Sequence, residues 1–409
     1  MMNKFLKDSS LNIISNLIVV VVIQLIAFPL INKDVTNSQF ALLIVLYGIA
    51  IVIATSLGNT LNNVRLLHRE GISEIERETI FTRGFLILLV FNLIIFTGIS
   101  IFYSHKIDAN LILLIIFSLL LTSRYYLNVY FRENLNYTHI LLVNIFVFIG
   151  YLIGLLIFKF VLPLYSIVFL LGEILGFIFL YKKTNFLSYI KGGSIINKLK
   201  VKRILQDYVN FTLINVIINI LNYLDRFILL PIIGPVLVNV YFIASTASKM
   251  IGLVTTPMNN VILSYLSIKD SHDNLKRFVQ INIGVIIASI PMFFIVKYSS
   301  LLVVFVLYNT YISKVTAIIN LVVIICILQI FNSIFHPFAM RMIHSRIIFF
   351  IQIGYGVIYL VIAFIGSNLY GLQGFCWATI IAMLIKLIVT NLIVFRITAL
   401  KKGMSKSEK

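Results

Sequence analysis

The residues of this chain that could do chemistry are charges set inside apolar runs. Asp225 and Arg226 stand side by side in Asn215–Pro231, a stretch otherwise dominated by Ile, Leu and Asn. On a helix of about 100° per residue, Tyr208, Asn215, Asn219, Asn222 and Arg226 fall within about 40° of one line. Asp225 is turned about 100° away from Arg226 on the same wheel. Lys249 follows the small-residue run Ala244–Ser248, Arg124 lies within Thr122–Tyr126, Glu173 follows Gly172, and Lys386 is embedded in the last apolar run. Each ionisable group at the centre of a membrane helix costs roughly 2.5–3.5 kcal/mol, so such groups turn towards a cavity or a partner. The cations Arg226, Lys249, Arg124 and Lys386 outnumber the anions Glu173 and Asp225. That surplus suits an anionic ligand, and arginine can grip phosphate oxygens with two parallel hydrogen bonds. Glu173 and Asp225 read as ion-pair or coupling residues. The competing reading has Asp225 only neutralising Arg226, with Lys249 and Lys386 snorkelling to the membrane surface.

Catalytic signatures are missing from the sequence. It has no phosphate-binding glycine loop, H-E-x-x-H, C-x-x-C or G-x-S-x-G pattern. The six histidines are scattered, and the two cysteines, Cys326 and Cys376, lie far apart in apolar sequence. Neither a metal site nor a disulfide framework follows, and no cofactor is expected.

The elements that must position these charges are membrane helices. Hydrophobic residues make up 60% of the 409-residue chain and charged residues 11%, with a mean hydropathy of +1.05. The apolar residues form long unbroken runs, which argues for helices rather than an alternating barrel pattern. Runs of spanning length fall at about 11–31, 38–61, 84–104, 108–128, 139–159 and 163–181, then at 206–231, 236–266, 278–297, 315–338, 345–366 and 371–397. The segment 298–314 either extends a helix or forms a separate piece. This predicts an all-α integral membrane protein of about twelve spans. A bundle over 1–181, a basic connector over 182–205, a second bundle over 206–397 and a basic tail over 398–409 divide it.

The formal charge of +19 would suggest nucleic acid in a soluble domain. Here the basic residues cluster between spans, so no nucleic-acid partner is expected. Of the 33 Lys and Arg, 25 fall on one set of alternating connectors with the termini and 5 on the other. That asymmetry predicts both termini in the cytoplasm. The exterior connectors are short, so any chemistry must happen largely within the membrane.

The two halves also echo each other. Leu6-Lys7-Asp8 before the first span matches Leu205-Gln206-Asp207 before the seventh, which sets Asn16 opposite Asn215. Leu61-Asn62-Asn63-Val64 closing the second span matches Met258-Asn259-Asn260-Val261 closing the eighth. Six spans per half give a parallel pseudo-two-fold repeat, with the first and seventh spans expected to face each other across a central site. Thr255-Thr256-Pro257, Pro291, Gly354 and Gly356 are candidate bending points.

Asp225-Arg226, followed by Asn239–Ala244, Lys249 and Pro257, resembles the polysaccharide flippases of the multidrug/oligosaccharidyl-lipid/polysaccharide (MOP) exporter superfamily. Tyr370–Phe375 entering the last span and Phe28-Pro29 through Gln39-Phe40-Ala41 resemble that family too, while Asn239 stands where a glycine is more usual. The resemblance implies two six-helix bundles around a central cavity. It implies transport of polyprenyl-pyrophosphate-linked oligosaccharide across a bacterial cytoplasmic membrane for capsule or O-antigen assembly. Partners would be membrane lipids and a polymerase with its chain-length machinery. Energy would come from an H+ or Na+ gradient or from downstream consumption of product. Arg226 and Lys249 would attract pyrophosphate or acidic sugar. Arg124 adds a third candidate cation, and Asn16, Asn215, Asn219 and Asn222 could hydrogen-bond sugar hydroxyls. The alternatives are a drug exporter of the same superfamily, expected to carry an acidic cavity, and a membrane polysaccharide polymerase, expected to carry a large exterior loop or a catalytic cluster.

Overall fold

Hydrocarbon offers no water to backbone amides, so a chain this apolar must satisfy them internally, and helices do so within one segment. The computed structural model describes residues 2–69, 73–184, 186, 198–246, 274–342 and 345–407, and no strand occurs among them. Helix α1 runs Met2–Val21, widens into a π-turn at Val22–Ala27 and continues as Phe28–Asp34. Helix α2, Asn37–Leu67, contains a second π-turn at Ala54–Asn59. Helices α3 (Glu74–Ser104), α4 (Ala109–Glu133), α5 (Tyr137–Phe160), α6 (Ser166–Lys183) and α7 (Lys198–Ile233) follow. Then come α8 (Pro235–Thr246), α9 (Asn274–Leu307), α10 (Ile319–Met342) and α11 (Ser345–Ser407).

Local sequence explains where several helices start. A reciprocal capping box between Thr36 and Gln39 opens α2. The Ser73, Asp108 and Asn136 side chains each accept from a backbone N–H three residues on, opening α3, α4 and α5.

Eight described helices are long and apolar enough to cross a membrane, or nine if the bent pair Asn309–Thr316 and Ile319–Phe335 counts as one. The larger number expected from sequence has three sources. Helix α11 joins two expected spans through Tyr370 and Gly371, which leave helical geometry, with Gly371 at φ +57°. A side chain there would be strained, so the glycine permits the turn. Helix α6 is only 18 residues long and three of them, Glu173, Lys182 and Lys183, are charged, which leaves it short of a full apolar span. The eighth expected span runs into 247–273, outside the described residues. The uncertain segment 298–314 resolves as an extension of α9 to Leu307, followed by a short 3-10 turn and a bend of 81° into α10.

The chain forms two compact units, Met1–Phe227 and Ile228–Lys409. The division falls inside α7 rather than in the basic connector, so most of the expected seventh span groups with the N-terminal bundle. In the first unit, Tyr47 of α2 is ringed by Phe28, Phe117 and Phe169 at 5.4–5.9 Å between ring centroids, which joins α1, α4 and α6. Gly150 and Gly154 on α5 meet α6 so closely that a Cβ on Gly150 would lie 2.5 Å from the Leu171 carbonyl oxygen. Small residues let membrane helices approach in this way. In the second unit, Phe375 packs against Tyr241 at 5.3 Å and Tyr359 at 6.3 Å.

Replacing Gly150 by valine should therefore force α5 and α6 apart, at a cost of about 1–3 kcal/mol. Gly84→Ala meets nothing within 4 Å and should leave thermal unfolding in detergent nearly unchanged. Equal melting temperatures for the two variants would refute this packing.

Candidate functional site

The polar line on α7 forms as its helical spacing requires, and its partner is α2. Tyr208 donates its hydroxyl to the Leu57 carbonyl at 3.4 Å. The amide groups of Asn215 and Asn219 donate to Thr60 Oγ1 at 2.8 Å and Ser56 Oγ at 3.1 Å. Arg226 donates from Nη1 to the Ile44 carbonyl at 3.4 Å, and its guanidinium carbon lies 4.8 Å from the centroid of Tyr223. Arg226 and Asp225 are both buried, 3% and 6% exposed. Gly48 on α2 makes this possible, because a Cβ there would come within 3.3 Å of both Tyr223 and Arg226. Thus α2 offers a groove of small and hydroxyl-bearing residues, Gly48, Ser56 and Thr60, to a row of amides and a guanidinium. Asn222 and Asn16 are exposed. The structure brings Asn215, Asn219 and Arg226 together on α2, where the repeat had set Asn16 and α1 opposite.

Arg124 and Glu173 are brought together elsewhere in the same unit. The guanidinium donates from Nε to Glu173 Oε2 at 2.7 Å and from Nη2 to Oε1 at 2.9 Å, a two-point fork between α4 and α6. Its Nη1 donates to Asn144 Oδ1 at 2.9 Å, and the Asn144 amide donates in turn to Ser15 Oγ at 2.7 Å. Tyr151 donates its hydroxyl to Glu173 at 3.0 Å. Glu173 is fully buried. This network stitches α1, α4, α5 and α6 across the bundle, and it occupies Arg124 with a carboxylate. Arg124 and Arg226 thus have different partners in this structure, a carboxylate for the one and a main-chain carbonyl for the other.

A second clamp was not anticipated as a site. Arg65, fully buried near the end of α2, donates to both oxygens of Glu133 at 3.0 Å and to both oxygens of Glu78. Tyr130 donates its hydroxyl to Glu78 at 2.7 Å, and the Arg65 guanidinium lies 4.2 Å from the Tyr130 ring centroid. In the sequence these charges look like ordinary loop residues. The available signal is Glu78 in the second turn of α3, one turn past the exposed Glu74 and just before an apolar run.

Lys386 packs against an aromatic ring in the second unit. Its ammonium lies 4.6 Å from the Tyr355 ring centroid, beside a cavity of about 20 Å³ lined by Asn332, Gln352, Thr390 and Asn391. Lys249 and Thr255–Pro257 lie outside the described residues. Among the described residues, no group of His, Cys, Asp and Glu could hold a metal ion.

No family model matches the chain, and no curated protein sequence matches it either. Solved structures do. An inward-facing multidrug resistance MATE family transporter of the MOP superfamily superposes with a TM-score of 0.70 at 15% identity, covering 93% of this chain and 95% of its own. The lipid II flippase MurJ in an inward closed conformation gives 0.69 at 14% identity, covering 97% and 91%. A MATE structure in the straight conformation gives 0.60 at 15% identity over 98% and 96%. The chain thus shares its all-helical fold with these solved structures. Those solved structures are of transporters and a flippase.

Removing one partner of a buried ion pair costs about 3–5 kcal/mol, because the other charge is left uncompensated. Arg124→Met and Glu173→Leu should each lower the thermal stability of purified protein sharply, and the double variant should recover most of the loss. Additive losses would show that the two do not act as a pair.

Proposed function

We propose that this chain is a flippase that moves a lipid-linked, pyrophosphate-bearing oligosaccharide across a bacterial cytoplasmic membrane for surface polysaccharide assembly. The observation that carries the reading is the α7 line, in which amides and Arg226 follow one helix face for about three turns. Amides suit sugar hydroxyls, and a guanidinium suits pyrophosphate oxygens. The whole-chain likeness to a lipid II flippase supports the same substrate class, and the lack of catalytic motifs fits movement without covalent chemistry. Both termini would lie in the cytoplasm, with α7 exposed alternately to the two sides of the membrane. An H+ or Na+ gradient, or consumption of product by a neighbouring polymerase, would drive the cycle. In this reading Lys249 and Arg226 attract the pyrophosphate, Asn16 and Asn222 join the sugar contacts, and Asp225 holds Arg226 in place.

Arg226→Ala should reduce transported lipid-linked oligosaccharide by about 10–100-fold, the loss of one charge-assisted hydrogen bond of about 1.5–3 kcal/mol. Arg226→Lys should retain part of the activity, since it keeps the charge without the fork. The measurement is surface polymer, with lipid-linked precursor accumulating inside, at equal protein abundance. Normal polymer in the Arg226→Ala strain would exclude a substrate role for this residue. The likeness to a multidrug transporter favours a second reading, drug export. Resistance to toxic cations conferred by the chain and unchanged in Arg226→Ala would favour it instead.

A further inference from the structure

A cavity of about 520 Å³ opens among the connectors at the basic end of the N-terminal unit. It lies past Leu67, at the end of α2, well along the chain from Ile44–Thr60, where α2 meets the α7 line. Its walls include three carboxylates, Glu74, Glu78 and Glu133, and the cations Arg69, Arg77 and Lys183. Two of those carboxylates are already engaged, because Arg65 grips both Glu78 and Glu133 and Tyr130 donates a further hydrogen bond to Glu78. Only Glu74, exposed on the first turn of α3, remains among the acids of the wall.

The basic groups are placed differently. Arg69 donates from Nη1 to the main-chain oxygen of Glu133 at 2.8 Å, and Arg77 from Nη1 to the main-chain oxygen of Arg69 at 3.2 Å. A main-chain oxygen fixes the Arg69 guanidinium without cancelling its charge, and the carboxylate beside Arg77, that of Glu133, is already held by Arg65. The Nε of Arg77 is buried and makes no hydrogen bond, lying 3.7 Å from Glu133. The Nδ1 of His139, also in the wall, is buried without a hydrogen-bond partner. Lys183 is exposed at the rim, and among the described residues no carboxylate lies within 4.0 Å of it or of Arg69. Buried polar atoms left without hydrogen-bond partners are uncommon in folded proteins and ask for an explanation.

We propose that this cavity is a phosphate-ester site, in which Arg69, Arg77 and Lys183 take the oxygens of a phosphate group. Arginine forks match tetrahedral oxyanions, and a pocket of this volume holds a headgroup-sized ligand. The chemistry is the same for two sources, the headgroup of a phospholipid in the adjoining leaflet or a soluble pyrophosphate. The site stands apart from the α7 line and does not depend on what that line carries.

The test uses the full chain, purified in detergent, with thermal unfolding read during titration with dioctanoyl-phosphatidylglycerol, with phosphate-free dioctanoylglycerol and with sodium pyrophosphate. A saturating rise in melting temperature of about 2–4 °C with a phosphate-bearing ligand is expected, and none with dioctanoylglycerol. Arg69→Gln with Arg77→Gln should abolish the rise. Since that pair touches the Arg65 clamp, Lys183→Glu serves as a second variant at an exposed position and should weaken the response several-fold without lowering the starting stability. A response to phosphatidylglycerol alone identifies a lipid headgroup, and a response to pyrophosphate identifies a soluble ligand. No phosphate-dependent rise in the wild type, or a rise undiminished in Lys183→Glu, overturns the site.

Discussion

A guanidinium buried in the protein interior must bring its compensation with it, and the N-terminal unit is built around that requirement. Arg124 is met by Glu173 through a two-point fork, and Arg65 by Glu78 and Glu133 together. Desolvating such charges is expensive, and only good geometry with further hydrogen bonds offsets it. The structure supplies both. Asn144, Tyr151 and Tyr130 fill the remaining valences around the carboxylates and guanidinium groups. Each clamp joins helices distant in sequence, so the ionic groups also fix which helices are neighbours.

Helix α2 is where these constraints meet. One end holds Arg65 against α3 and α4, the middle offers Ser56 and Thr60 to α7, and Gly48 leaves room for Arg226 and Tyr223. Most of its length is buried. A helix with neighbours on every side cannot use large polar groups freely, which accounts for its small and hydroxyl-bearing residues on the α7 side.

Much of this organisation was legible in the sequence. Composition and run length gave the all-helical membrane class, and a 100° wheel put Asn215, Asn219 and Arg226 on one face. The wheel could not say which helix that face would meet. The repeat suggested α1, whereas the groove belongs to α2, and a groove made of Gly48, Ser56 and Thr60 has no hydropathy signal of its own. Arg124 and Glu173 were visible as intramembrane charges, but their 49-residue separation left pairing to tertiary packing. Glu78 and Glu133 looked like connector charges because charge near a helix end is usually solvated. Their burial depends on Arg65 reaching both, which no local pattern encodes.

The π-turn at Ala54–Asn59 gives α2 a property that an unbroken α-helix would lack. One extra residue in a turn rotates everything beyond it by about 100° relative to what precedes it. Gly48 and Ile44 lie before the offset, and Asn62 and Arg65 after it. The α7 line straddles that offset, meeting Ile44 and Gly48 before it and Thr60 after it, while Arg65 further on faces the charges of α3 and α4. A single helix can in this way present Gly48 and Arg65 to different neighbours, with the change of facing absorbed inside one wide turn rather than by a break in the chain.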